Sequence, residues 1–205
     1  MRRNSAPSVL LVACVVLAGC GEAATGPAAA PRPLPINAQG TFVTPAPIEK
    51  PFKDNGVNPT TLVIPRLHVS AAVEHVGQTA DHAMESPRRP DEVAWYSLGF
   101  RPGEQGHAVI AGHLDSTDRR HPRAVFADLG KLRAGDALTV SGGGRTLSFT
   151  VSAVASYAES QFPLETVFGA GEERTLELIT CTGTYRGGRA GYTRRLVVTA
   201  VEQPA

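Results

Sequence analysis

The sequence predicts a mainly β protein, and three stretches carry that prediction. Leu176 to Thr180 is an apolar run rich in β-forming residues that ends on Cys181, and a second such run, LVVTAV, begins at Leu196. Ala108 to Ala111 is a third, set between Gly106 and Gly112. Leu138 to Val140 and Thr146 to Val154 flank Gly142-Gly143-Gly144 in the manner of a hairpin. With 205 residues, 42% of them hydrophobic, the chain can bury the core of one modest domain carried on an N-terminal extension. The balance of 20 Lys+Arg against 19 Asp+Glu, with no long block of like charge, excludes the clustered basic excess of a polyphosphate binder. No nucleic-acid partner is expected.

Taken in order, Arg2 and Arg3 precede an apolar segment, Val9 to Ala18, too short for a comfortable membrane span. Residues 1–19 read as a secretion signal. Its end, Leu17-Ala18-Gly19-Cys20, resembles a bacterial lipobox, which implies cleavage before Cys20 and lipid on its sulfur. The competing readings are an ordinary cleaved signal or an uncleaved anchor, with Cys20 incidental. Residues 20–58 are rich in Pro and Ala and cannot bury enough apolar area to offset the entropy of ordering, so they form a disordered, partly extended tether. Extracytoplasmic placement at the cell membrane follows, held there by the lipid. Cys14 leaves with the signal and the Cys20 thiol is consumed, so Cys181 is the only free thiol and no intramolecular disulfide forms. An unpaired cysteine in an exported protein is unusual, and a reactive thiol accounts for it better than a buried structural one.

The folded domain is expected over residues 59–203. It opens with two short β-type runs separated by Pro65-Arg66, where Pro65 marks an edge or a bend. Pro90-Asp91-Glu92 has the composition of a helix start, so Val93 to Tyr96 is read as a short helix, with Trp95 and Tyr96 as packing residues. Gly106 to Gly112 is a strand that delivers His113 to a cleft. Phe126, Leu129 and Leu132 recur at helical spacing and stop at Gly135, which predicts a helical turn. The triple glycine is a hairpin tip and not a phosphate cradle, since neither Lys-Ser/Thr nor a helix start follows it. Tyr157 to Glu173 is the longest irregular stretch before the strand that ends on Cys181.

Strand parity places Leu176, Leu178 and Thr180 on one face, and Glu177, Ile179 and Cys181 on the other. In the last strand Leu196, Val198 and Ala200 lie inside, with Arg195, Val197 and Thr199 opposite. Arg195 can then face Cys181 across the sheet.

Thr180-Cys181 closing a Leu-x-Leu-Ile run, an Arg opening the Arg-Leu-Val-Val strand at Arg195, and Val109-Ile110-Ala111-Gly112-His113 upstream together resemble the sortase family. Pro102-Gly103-Glu104 and the segment from Phe126 to Asp136 are most similar to actinobacterial class F sortases, with class E close by. The resemblance implies a closed β-barrel of about eight strands with short helices. It implies a cysteine transpeptidase that cleaves an LPXTG-like sorting signal after its Thr, holds the acyl group on the cysteine, and passes it to an amine. Implied partners are surface proteins bearing the signal and an amine acceptor such as a peptidoglycan precursor. A lipoprotein signal departs from the transmembrane anchor common among sortases.

The chemistry asks for a thiol, a proton carrier and an oxyanion donor. Cys181 is the nucleophile, His113 moves protons to and from the amines, and an arginine, always charged and rich in N–H groups, stabilises the oxyanion. Arg195 matches the family spacing, with Arg194 its rival and Arg186 and Arg189 weaker ones. The resemblance also makes the Tyr157 to Glu173 stretch one wall of the sorting-signal groove, lined by Phe162, Val167 and Phe168, with Thr180 beside the nucleophile. The same apolar residues suit packing against the barrel equally well. His68, His75, His82, His107 and His121 are read as surface or structural residues. His107 and His113 lack a third ligand for zinc, and Glu104, Glu159, Glu172 and Glu173 form no calcium pattern, so no metal or other cofactor is expected. An L,D-transpeptidase, which would also pair Cys with His, is disfavoured by the absence of its Ser-x-Gly-Cys-x-Arg motif with a nearby upstream His-Gly. The alternative function is a non-catalytic surface lipoprotein that binds sorting-signal peptide or wall material.

Overall fold

A computed structural model describes residues 56–188 and 191–204. The signal segment, Cys20, nearly all of the tether, and Arg189 lie outside the described residues. Eight strands form a closed barrel: β1 (Thr61–Ile64), β2 (Val69–Val76), β3 (Val93–Tyr96), β4 (Gly106–Gly112), β5 (Ala137–Gly142), β6 (Arg145–Ala158), β7 (Arg174–Tyr185) and β8 (Tyr192–Glu202). Their order around the barrel is β1-β2-β3-β4-β7-β8-β6-β5, and β1 pairs with β5 to close it. The expected mainly β barrel with short helices is what forms.

Alternation builds the interior. Leu62 and Ile64 of β1, Leu138 and Val140 of β5, Leu176 and Leu178 of β7, and Val198 and Ala200 of β8 are all fully buried in one cluster. A fully buried leucine contributes roughly 1.5–3 kcal/mol. Pro65 opens a 3-10 turn, Pro65–Leu67, that bends β1 into β2. The bend is as expected, whereas the edge is not, because β1 has partners on both sides. Gly143 and Gly144 both adopt left-handed φ values, 57° and 75°, the backbone of a two-residue hairpin between β5 and β6.

Two sequence expectations give way. Val93 to Tyr96 is a strand, not a helix: all four residues are buried, and β3 runs parallel to β2 and antiparallel to β4. Burial on both faces outweighs the helix-start signal of Pro90-Asp91-Glu92, since Trp95 fills the barrel while Tyr96 packs outside it. Between β6 and β7 the chain is not simply irregular. It forms a 3-10 turn, Glu159–Gln161, and a short helix α1, Leu164–Phe168. Leu164, Val167 and Phe168, at i, i+3 and i+4, pack with Phe162 onto Tyr96, Val109, Ile179 and Val197. The outer face of β4, β7 and β8 is therefore covered as well, and Ile179, on the same face as Cys181, is buried.

The segment carrying Phe126, Leu129 and Leu132 contributes all three to the barrel core, around a 3-10 turn at Leu129–Lys131. Among the described residues no helix is long and apolar enough to cross a membrane.

Candidate active site

The site is assembled by two strand pairings. β4 and β7 run parallel, with Ala111 level with Ile179, so both strands end at the same end of the barrel. His113 follows directly on the end of β4 at Gly112, and Cys181 lies two residues past Ile179 on β7. The hydroxyl of Thr180 donates to the carbonyl of Gly112 at 2.8 Å, joining the residue before the cysteine to the residue before the histidine. Gly112 is required here for space: a Cβ would lie 2.5 Å from the Phe126 ring. Phe126 in turn donates its backbone N–H to the His113 carbonyl at 3.0 Å, so the ring and the histidine backbone brace one another.

β7 and β8 run antiparallel, and Cys181 is directly opposite Arg195. Arg195 donates from Nη1 to the carbonyls of Tyr192 (3.0 Å) and Arg194 (3.2 Å), and from Nη2 to Glu159 Oε1 at 2.7 Å. Arg194 faces the other way. It is exposed and donates to Ser156 Oγ at 2.9 Å and to the Ser156 carbonyl at 2.6 Å, on β6. Arg186 is exposed in the loop beyond β7. Of the arginines weighed from sequence, those described divide cleanly, and Arg195 alone of them borders the cavity holding the thiol.

That cavity has a volume of about 230 Å³ and is bordered at one end by Cys181, His113 and Arg195. Its floor is the end of β4, at Gly112, and the adjoining part of β7, at Ile179 and Thr180. One wall is Phe162, Leu164 and Phe168; the β2–β3 connection lines the cavity as well, with Pro87 and with Met84, which packs against the same apolar cluster. Phe162, Phe168 and Thr180 thus reach the cavity. Val167 belongs to the apolar cluster behind the wall and does not border it. A larger polar cleft of about 660 Å³, between Leu67 to Ser70 and Ser116 to Asp128, contains no thiol.

His113 Nε2 lies 2.8 Å from the Pro87 carbonyl. A carbonyl only accepts, so Nε2 carries the proton and, in the neutral ring, Nδ1 is left with its lone pair. No hydrogen bond joins the imidazole to Sγ of Cys181. Burial pushes the Cys181 thiol up, the Arg195 guanidinium acts the other way, and the carboxylates of Asp115 and Glu159 add to the rise. Asp115 also accepts a hydrogen bond from Tyr192 Oη. That bond first, then burial and the Asp115 charge, hold the Tyr192 phenol up at about 12.

The remaining histidines stand apart from this end of the cavity. His75 pairs with the Pro59 carbonyl and packs edge-on to Trp95, while His107 bonds Thr175 and Glu177 on the outer face of β4 and β7. Among the described residues no three His, Cys, Asp or Glu side chains converge to hold a metal ion.

The family profile described as Sortase domain matches residues 62–203, about two thirds of the chain. The chain belongs to the sortase family. Its fold is that of solved sortases: sortase C-1 from Actinomyces oris, at 22% identity and a TM-score of 0.58, with 83% of this chain and 93% of that one covered; a lid mutant of sortase A from Corynebacterium diphtheriae, at 19% and 0.54, covering 71% and 69%; and sortase C1 of GBS Pilus Island 1, at 22% and 0.54, covering 71% of this chain and 64% of that one. At these identities the likeness is one of fold. No curated protein sequence matches the chain.

In this sortase domain the structure brings together groups that sequence reasoning did not. Pro87 and Met84 come from a connection that reads only as polar and turn-rich, and nothing in its composition marks it as a cavity wall. Asp115 could have been found from its place two residues after His113. Glu159 drew notice only as one of several acids without a ligand pattern.

Proposed function

We propose that this chain is an extracytoplasmic cysteine transpeptidase that cleaves an LPXTG-like sorting signal through a thioacyl intermediate on Cys181 and transfers the acyl group to an amine. The observation that carries the reading is the convergence of Cys181, His113 and Arg195 on one end of an apolar-walled cavity sized for a few peptide side chains. The sorting peptide lies along the Phe162–Phe168 wall and against Met84 and Pro87, with the carbonyl of its Thr presented to Sγ. The Cys181 proton passes to His113 Nδ1, the sulfur attacks the carbonyl carbon, and the resulting oxyanion accepts hydrogen bonds from Arg195. As the intermediate collapses, the C–N bond breaks and His113 returns its proton to the departing amine. An acceptor amine then attacks the thioester, loses a proton to His113, and releases the Cys181 sulfur.

The same reading places the class among the F and E sortases, takes residues 59–203 as the catalytic domain, and anchors the chain at the outer membrane surface through lipid on Cys20 with residues 20–58 as spacer. Signal-bearing surface proteins are the donors and a wall-precursor amine the acceptor. The test is to incubate the purified full-length chain with LPXTG and LAXTG peptides, with and without an added amine. Amine-ligated product from wild type, and none from His113→Ala, supports transfer. Intact peptide in every reaction favours a binding protein.

A further inference from the structure

Glu159 lies where β6 ends and the apolar wall of the cavity begins, and its carboxylate accepts from Nη2 of Arg195 at 2.7 Å. Both side chains are largely withdrawn from solvent, at 22% exposure for Arg195 and 27% for Glu159. We infer that Glu159 is a positioning residue for Arg195, fixing the plane of the guanidinium beside the Cys181 thiol and tying the Phe162–Phe168 wall to β8. The inference rests on the transpeptidase reading.

An arginine is a long, flexible side chain, and an oxyanion donor acts only when its N–H groups are already in place before charge develops. The carbonyls of Tyr192 and Arg194 hold Nη1, but both belong to the strand that carries Arg195. They leave the head free to tilt about that edge. Glu159 supplies the restraint from a different element and removes the tilt. Both Nη atoms are then engaged, while Nε–H has no partner among the described residues and is available to a ligand in the cavity that Arg195 borders. The pairing also follows from register: Tyr157 is opposite Arg195 on β6, so Glu159, two residues on along the same side of the strand, meets the guanidinium as β6 turns away. The carboxylate acts in a field that also contains Asp115, Tyr192 and His113 around the thiol, so its charge and its geometry must be separated by experiment.

Glu159→Gln keeps an oxygen that accepts from Nη2 and removes the charge; Glu159→Ala removes both. In single-turnover acylation of the full-length chain by LPXTG peptide, Glu159→Ala should lose about tenfold in rate with KM little changed, and Glu159→Gln should recover to within about threefold of wild type. Wild-type rate per folded molecule in Glu159→Ala, or equal losses in both variants, overturns the inference. A substrate-free reading uses the pH midpoint of Cys181 alkylation in wild type, Glu159→Ala, Arg195→Ala and the double variant. The direct charge of Glu159 on the thiol contributes an additive part, and a non-additive part is expected on top of it because Glu159 also holds Arg195; strictly additive shifts overturn the inference. Non-additive shifts in a wild-type chain that forms no peptide adduct would sink the transpeptidase reading and leave the positioning of Arg195 by Glu159 intact.

Discussion

Thr180 donates its hydroxyl to the Gly112 carbonyl, so the residues immediately before Cys181 and His113 are held together by a single buried bond between β7 and β4. The two strands are parallel; β4 ends at Gly112 while β7 runs on to Tyr185, and the bond joins the residues that adjoin the histidine and the cysteine. Thr180 borders the cavity, yet its polar atom is committed to the barrel.

Thr180→Val keeps the shape of the side chain and removes the donor. It should cost about 1–3 kcal/mol in denaturant unfolding, the penalty for a buried carbonyl left without its partner. Acylation should slow while peptide affinity changes little, since the loss falls on the alignment of Cys181 with His113. A variant with unchanged stability would show that the bond contributes nothing to the folded state.

Gly112→Ala should be more damaging than its size suggests. Its Cβ would stand 2.5 Å from the Phe126 ring, which is fully buried and has no room to retreat. Overpacking of this kind costs roughly 1–3 kcal/mol, and here the strain is shared with the backbone that carries His113. Paired measurements of melting temperature and acylation rate should both fall; wild-type values for both would contradict this packing.

The thiol of Cys181 should titrate above an ordinary cysteine, because burial and the carboxylates of Asp115 and Glu159 outweigh Arg195. Iodoacetamide labelling should therefore rise with pH to a midpoint on the alkaline side of free cysteine. Arg195→Ala removes the one group pulling the value down and should move the midpoint further up. Asp115→Asn removes a carboxylate and should move it down. A midpoint below that of free cysteine in wild type would contradict this electrostatic account.

Adjacent arginines should separate sharply. Arg195→Ala removes the proposed oxyanion donor, and losses of about 10²–10³ in rate are typical for such groups. Arg194→Ala breaks only exposed contacts to Ser156 and should stay within about twofold of wild type, with stability altered by under about 1 kcal/mol. Equal losses in the two would mean that strand position does not decide which arginine acts.

Period-2 alternation was enough to place Leu176 and Leu178 inside and to put Arg195 and Cys181 on one face, because side-chain parity is a local property of a strand; that the two are directly opposite is a matter of register, which the structure supplies. It was silent at Val93 to Tyr96, where both faces are buried, and the helix-start composition of Pro90-Asp91-Glu92 misled instead. It also did not show that the outer face of β7 is covered, since the cover comes from Leu164, Val167 and Phe168, residues of a five-residue helix too short to announce itself. The cavity's second wall was invisible for a related reason: Met84 and Pro87 reach it through a connection whose path depends on tertiary contacts such as the Gln78 amide donating to Tyr96 Oη. Residues named by family motif were readable one at a time, whereas Glu159 and Pro87 matter through what they touch.

The central claim is tested most directly by the intact mass of the full-length chain after reaction with an LPXTG peptide without added amine, followed by peptide mapping. The account predicts an increment equal to the acyl fragment through the Thr, located on Cys181, released by hydroxylamine, and absent from Cys181→Ala. An unmodified Cys181 in a folded chain whose thiol still alkylates, or an adduct on another residue, would contradict it.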